Sequence, residues 1–436
     1  MKLAPRACLP TVSTFLAVAM ALLAQEPSDP TELLVKARSL VVARAKRLPD
    51  YTCVQSVDRQ YFEPPKPQVP PPSCAQIAAF NKENPDSLVL HATDRLRLDL
   101  KVSHGMEIGA WPGASQFSSR SVFDLIGGGA YGTGTLGSFL SDIFQNGGAT
   151  YNRLGEQTTG GATLAAYAYR VPLISSHYLI KAGSGWAATA FSGVFWFDSE
   201  SADLRRLLVE AKEIPQETGT CEVATSVEYR RVKVGAGEFL LPVRSSMRMV
   251  SMEATETRTT AVYSGCREYH GEATIRFDDA AAGGEVQSAA AAAAPLPAGM
   301  PLSLALMSPI DTDTAAAGDV FTARLRKPMR ASKDILAPAG ATVEGRIVQM
   351  RRWLEKPRHF TISVMLEKLE VSGVATPLYA KLRPEDKSTS IVLPPIGQSS
   401  PLVAALVFAT DRNRYVVAAG YQTNWVTVAP PPEEEK

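Results

Sequence analysis

Apolar residues of the segment SDPTELLVKARSLVVARAKRLPDY recur at three and four positions: Leu34, Ala37, Val41, Ala45 and Leu48. That period predicts one helix with a single apolar face. Asp29 or Thr31 can cap it, Pro30 suits its first turn, and Pro49 ends it. Lys36, Arg38, Arg44, Lys46 and Arg47 make the rest of its surface basic. Such a helix can lie on a membrane surface. Packing against its own domain is the expectation here.

From Tyr51 to Phe277 the period becomes two. In DRLRLDLKV, Leu96, Leu98, Leu100 and Val102 alternate with charges, the pattern of a half-buried strand. LAAYAYRVP, SGVFWFD, RRLLVEAKEIP, SVEYRRVKV, FLLPVRSSMRMV and TAVYSGCREY read as further strands, separated by Gly-rich or polar turns. No regular helices lie between them to make parallel crossovers, so antiparallel hairpins are expected. The main interruption is a glycine-rich stretch running into LGSFLSDIF, which reads as partly helical. DAAAGGEVQSAAAAAAPLPAGM then has little to bury and reads as a linker. A second β region follows, and the tail APPPEEEK has the composition of a disordered segment.

The expected division is a signal peptide over 1–24, a helix plus antiparallel β half-barrel over 25–278, a flexible linker over 279–300, a small β domain over 301–428 and an acidic tail over 429–436. The fold class is mainly β: an N-terminal helix and a curved, half-open antiparallel sheet, then a small barrel or sandwich. The leader rests on Lys2 and Arg6 ahead of an apolar stretch from Thr11 to Ala24, with cleavage after Ala21 or Ala24. It implies export to the periplasm or the outside. Without the leader, 43 basic residues face 44 acidic ones, a balance that calls for no nucleic acid. No later apolar run is long enough to span a membrane.

Loss of the leader removes Cys8 and leaves Cys53, Cys74, Cys221 and Cys266. An even number in an exported chain predicts two disulfides, with three pairings open. Cys53–Cys74 and Cys221–Cys266 are favoured, because the first closes the loop around PPKPQVPPP. A zinc site on Cys266 and His270 is disfavoured, since one Cys and one His in a strand region fall short of a ligand set.

GTGTLG at 132–137 has the spacing of a dinucleotide-binding loop. Such a loop needs a buried strand before it and a βαβ unit around it. SVFDLIGGGAY supplies neither, so a mobile loop and a short packed helix are expected, with no cofactor. Nucleophile-elbow, zinc-protease and phosphate-loop motifs are absent. His91, His104, His177, His270 and His359 share no spacing. Asp198, Glu200 and Asp203, and Asp311, Asp313 and Asp319, read as turn chemistry. Phe195 and Phe197 fall on one face of their strand and Trp196 on the other. These are the candidate ligand-lining residues, and no catalytic or metal residue is assigned.

GTGTLGSFLSDIF, AYAYRVP, GVFWFDSESADLRRLLVEAKEIP, VEYRRVKVGAGEFLLPVRSSMRM and SGCREYHGEATIRF, in that order, resemble a family of secreted bacterial proteins of unknown function over residues 30–278. In that family the glycine loop and short helix precede an antiparallel sheet. The hairpin FWFDSESADLRRL is similar to one in Lol-type lipoprotein carriers and related periplasmic sigma-factor regulators. That resemblance implies a half-open barrel around a helix, with an apolar concave face for acyl chains. The disulfides and the proline loop are no part of the carrier pattern. GDVFTARLRKPM and DILAPAGATVEGRIVQMRR resemble small β-barrel modules of envelope and conjugation-channel proteins. The leading expectation is a non-enzymatic binding protein for a lipid or lipoprotein chain on the concave sheet. The alternative is an envelope assembly protein that docks a partner through its second region. A hydrolase would require His and a carboxylate in one pocket.

Overall fold

The computed structural model describes residues 30–65, 72–84, 86–103, 105–114, 117, 122–126, 130–182, 185–269, 296–331, 334–383 and 402–431. The expected signal peptide, linker residues 279–295, tail residues 432–436, His104 and His270 lie outside them.

The first region holds helices α1 (Pro30–Arg47), α2 (Cys74–Glu83), α3 (Val122–Leu125) and α4 (Ser138–Phe144). Its strands are β1 (Tyr51–Glu63), β2 (Val89–Ser103), β3 (Met106–Ala110), β4 (Thr150–Thr159), β5 (Ala162–Val171), β6 (Leu179–Ala182), β7 (Gly185–Ala188), β8 (Phe191–Asp198), β9 (Leu204–Ala211), β10 (Thr220–Val234), β11 (Gly237–Ser251) and β12 (Glu256–Glu268). One antiparallel ladder runs β3-β2-β1-β12-β11-β10-β9-β8-β5-β4. Among the described residues its edge strands β3 and β4 do not meet, so the curved sheet stays open. The β6–β7 hairpin stands apart as its own small sheet.

The alternation in DRLRLDLKV is realised: Leu96, Leu98, Leu100 and Val102 are all buried. Each contributes about 1.5–3 kcal/mol by leaving water. At the other end of the sheet, Leu33, Ala37 and Val41 of α1 and Phe139, Ile143 and Phe144 of α4 pack on apolar residues of β5, β8 and β9. The buried stripe of α1 lies one position from the expected one, through Leu33, while Ala45 is exposed. Arg38 Nε donates to the Phe144 carbonyl at 2.8 Å, and Arg44 pairs with Asp203. The basic face of α1 therefore holds the helix to its own domain. Helix α2 is not among the expected elements, although a capping box of Ser73 and Gln76 marks its start in the sequence.

The disulfides are Cys53–Cys266, with Cα atoms 4.1 Å apart, and Cys74–Cys221, at 5.2 Å. This corrects the expected pairing of Cys53 with Cys74. β1 and β12 lie side by side, with Thr52 opposite Arg267 and Val54 opposite Ser264, so Cys266 is the cross-strand neighbour of Cys53. Cys74, the first residue of α2, is bonded instead to Cys221 of β10. Spatial adjacency in the ladder prevails over closeness in sequence.

The second region has strands β13 (Pro301–Leu306), β14 (Ile310–Asp311), β15 (Val320–Leu325), β16 (Met329–Ala331), β17 (Asp334–Ala337), β18 (Thr342–Trp353), β19 (His359–Val371), β20 (Val374–Pro377), β21 (Ala380–Leu382), β22 (Ala404–Ala409), β23 (Val416–Val417) and β24 (Gln422–Thr427). Its main ladder is β22-β19-β18-β15-β13-β24-β21. Leu302, Leu304, Val343, Ile347, Ile362, Val364 and Trp425 are part of its core.

The two ladders are joined. Arg351–Trp353 of β18 pair with Asp94–Ala92 of β2, and Ala317 exchanges backbone bonds with Arg95 and Arg97. Gly318 has φ +104°, and a Cβ there would lie 2.2 Å from the Arg97 carbonyl oxygen, so this crossing needs glycine. Beneath it Asp94 is buried between Arg59, which donates through Nε and Nη2 at 2.7 and 2.8 Å, and Arg351 at 3.0 Å. Tyr61 adds its hydroxyl at 2.9 Å. Burial alone would raise the pKa of Asp94; the charges and hydrogen bonds of Arg59, then Arg351, hold it below the ordinary value.

Candidate functional site

Two adjoining cavities of about 600 and 560 Å³ share Gly105, Met106, Ser138, Asp142 and His177 as walls. The β2–β3 turn, the glycine loop, the start of α4 and the β6–β7 hairpin form them. Their rim is apolar and open to water: Met106 is 64% exposed, Leu179 50% and Trp186 44%. Trp186 stands edge-on to Phe123, ring centroids 4.9 Å apart.

The glycine loop has a use that its spacing concealed. The amides of Gly134 and Leu136 both donate to Glu107 Oε1, at 2.9 and 2.8 Å. A carboxylate of the same chain thus takes the place that a bound anion would have in a phosphate loop. Gly134 has φ +96°, and a Cβ on it would lie 2.7 Å from Ser138 Oγ. The loop is also stitched to the sheet by buried polar groups. Tyr131 donates to Gln55 at 2.6 Å, Thr135 and Tyr263 share a hydrogen bond of 2.7 Å, and Tyr229 reaches the Thr135 carbonyl at 3.3 Å. The Glu107 carboxyl is enclosed, and burial pushes its pKa up to about 7 against the pull of the two amides.

Asp142 is buried and its oxygens are fully used. Oδ2 accepts the His177 backbone N–H at 2.8 Å, while Oδ1 takes the His177 ring Nδ1–H at 2.7 Å and the Asn146 amide at 2.9 Å. This holds the ring with Nε2 directed away from the carboxylate, in the cleft that Ser138 also lines. Four residues separate Ser138 from Asp142, one turn of the same helix face.

The residues expected to line a ligand lie elsewhere. Phe195 and Phe197 are 0% exposed, closed in by Phe144, Tyr151, Tyr167 and Tyr169. Helices α1 and α4 fill the concavity over them, so both serve as core in this structure. Trp196 points to the other face, half-buried beneath the Arg206 guanidinium at 5.2 Å. The acidic clusters are used in turns and ion pairs. Asp198 accepts backbone N–H groups of Glu200 and Ser201, Asp203 binds Arg44 and Arg231, and Asp311 binds Arg414. Glu63, His91 and Glu355 bring one ligand atom each within 4.8 Å of one another at the junction of the two regions. Two of the three are exposed, and Glu355 lies 2.9 Å from His91 Nδ1, which an ion pair accounts for. Sequence reasoning missed Glu107, Asp142, Phe123 and Trp186; turn glycines around MEIGA and the short GWAA strand were the faint signals.

No family model and no curated protein matches the chain. Similar solved structures include a LolA superfamily protein from Nitrosomonas europaea, 11% identical, covering 54% of this chain and 94% of its own, TM-score 0.25. A putative outer membrane lipoprotein-sorting protein domain from Vibrio parahaemolyticus is 10% identical, covering 54% and 92%, TM-score 0.27. A DUF1329 family protein from Desulfovibrio piger is 9% identical, covering 54% and 93%, TM-score 0.24. The fold neighbours are LolA superfamily and DUF1329 proteins. At these identities and scores the likeness carries nothing about ligand or activity.

Proposed function

We propose that the protein is an exported, non-enzymatic binding protein that holds a lipid or acyl chain in the cleft between the glycine loop and the β6–β7 hairpin. The paired cavities with their exposed apolar rim carry this reading: their combined size suits a small amphiphile, and concave apolar sites of this scale are where ligands bind. The site lies against the last turn of α1 and the start of α4. Two disulfides support an oxidising compartment, periplasmic or extracellular. Among the described residues no helix is long and apolar enough to cross a membrane. In the second region a void among core residues holds about 40 Å³, too small for such a ligand.

Native mass spectrometry before and after organic extraction tests the proposal, together with displacement of a fluorescent fatty-acid probe. Bound lipid, and probe affinity that falls about tenfold in Met106→Asp but stays unchanged in Val374→Asp, is the expected result. Absence of both lipid and probe binding overturns it.

A second reading, acid–base hydrolysis, is favoured by the Asp142–His177 pair beside Ser138. It requires turnover of p-nitrophenyl esters that His177→Ala abolishes; no turnover above buffer removes it.

A further inference from the structure

The larger part of the cleft wall is apolar, and its polar groups are unequal in sign. The cavity of about 560 Å³ is walled by the rings of Phe123, Phe139, Tyr178 and Trp186 and by the carboxylates of Glu107 and Asp142. Among its described lining residues there is no lysine or arginine, whereas the adjoining cavity has Lys46. We propose that the polar end of the ligand is a cation, an ammonium or quaternary ammonium group, seated between Glu107 and the Phe123–Trp186 pair. This rests on the reading that the cleft takes an amphiphile, and it names the class.

Three observations carry it. Aromatic faces are negative, and a cation over Trp or Phe gains about 0.5–2 kcal/mol, more as water is excluded. Asp142 is paired with His177, but four rings and the Glu107 carboxyl, with no lysine or arginine among the described lining residues, make a cavity in which an anionic headgroup would meet like charge. Glu107 Oε1 is occupied by the two loop amides, and Oε2 makes no hydrogen bond among the described residues. Asp142, by contrast, is satisfied by His177 and Asn146, so Glu107 is the carboxylate with capacity to spare. Finally, the protein already places an ammonium against this wall: Lys181 Nζ, from β6, lies 6.0 Å from the Phe123 ring centroid. That distance is at the outer limit of the interaction. Lys181 therefore acts as a weak internal competitor for the face that the ligand would use.

The test uses the full chain after organic extraction and refolding, with calorimetric titration below micelle concentrations. The probes share one chain: dodecyltrimethylammonium, dodecyl sulfate and dodecyl maltoside. The expected order is trimethylammonium tightest, by about tenfold over maltoside, and sulfate weakest. Glu107→Gln, which can still accept the two amides, and Trp186→Ala, at an exposed position, each reduce the preference for the cation several-fold. Lys181→Met strengthens cation binding, an effect that general loss of structure would not produce. Equal affinity for all three probes overturns the cation assignment while leaving the apolar cleft in place. Binding of none of them removes both. Competition by free tetramethylammonium assigns the site to a small quaternary solute, and failure to compete assigns it to a headgroup carried on a chain.

Discussion

The two β regions use the same strand patterns to opposite ends. In the second, apolar residues from β13, β18, β19 and β24 meet around Trp425 and leave a void of only about 40 Å³. In the first, α1 and α4 pack on β5, β8 and β9, while beside them the glycine loop, the Glu107 carboxyl and buried phenols border cavities of about 600 and 560 Å³. Apolar side chains close a core because they pack to high density in any well-shaped arrangement. Polar groups resist that closure, since each must keep its hydrogen-bond partners. A cleft lined by Glu107, Asp142 and His177 stays open for that reason.

Uncoupling the two regions should have the largest effect. Asp94→Ala leaves Arg59 and Arg351 buried without their carboxylate and should cost about 3–5 kcal/mol. Calorimetry should then show two unfolding transitions in place of one; a single unshifted transition would show that the junction does not couple the regions. Trp425→Ala should cost a similar 3–5 kcal/mol in chemical denaturation, all of it in the second region, with probe binding in the cleft retained. Cys74→Ser with Cys221→Ser should cost about 2–4 kcal/mol, read as a lower melting temperature of the first region only. A result in which the second region melts earlier instead would contradict this.

The smallest effect is on pH. The pKa of Glu107 is raised by burial to about 7, from an ordinary 4.5. A raised carboxyl pKa means that the folded state holds the proton more tightly. Its contribution is full below pH 4.5 and is lost as pH rises through 7. Glu107→Gln should flatten that decline and leave the variant about 2 kcal/mol more stable than the parent at pH 8. Parallel stability curves for the two proteins between pH 5 and 8 would place the titration elsewhere.

Much of the frame was legible in the residues because short periods encode it. Leu96, Leu98, Leu100 and Val102 can share a face only in a strand, and Leu34, Ala37 and Val41 only in a helix. The capping box Ser73–Gln76 was equally local and would have revealed α2. The resemblance to Lol-type proteins also pointed to a curved antiparallel sheet, which the ladder shows. The candidate site was not legible. Alternation puts Phe195 and Phe197 on one face and Trp196 on the other, but it says only which residues share a face. What covers the face depends on where α1 and α4 pack, residues away in sequence.

The residues alone encode the periods of the main strands and of α1 and an even set of cysteines after Cys8, because these rest on neighbours along the chain. Only the tertiary structure decided that Cys53 meets Cys266, that Glu107 occupies the glycine loop, and that Asp142 and His177 close on one cleft. Each of those contacts joins strands or loops far apart in sequence, and their meeting is set by strand order and register, which the period-two pattern leaves open.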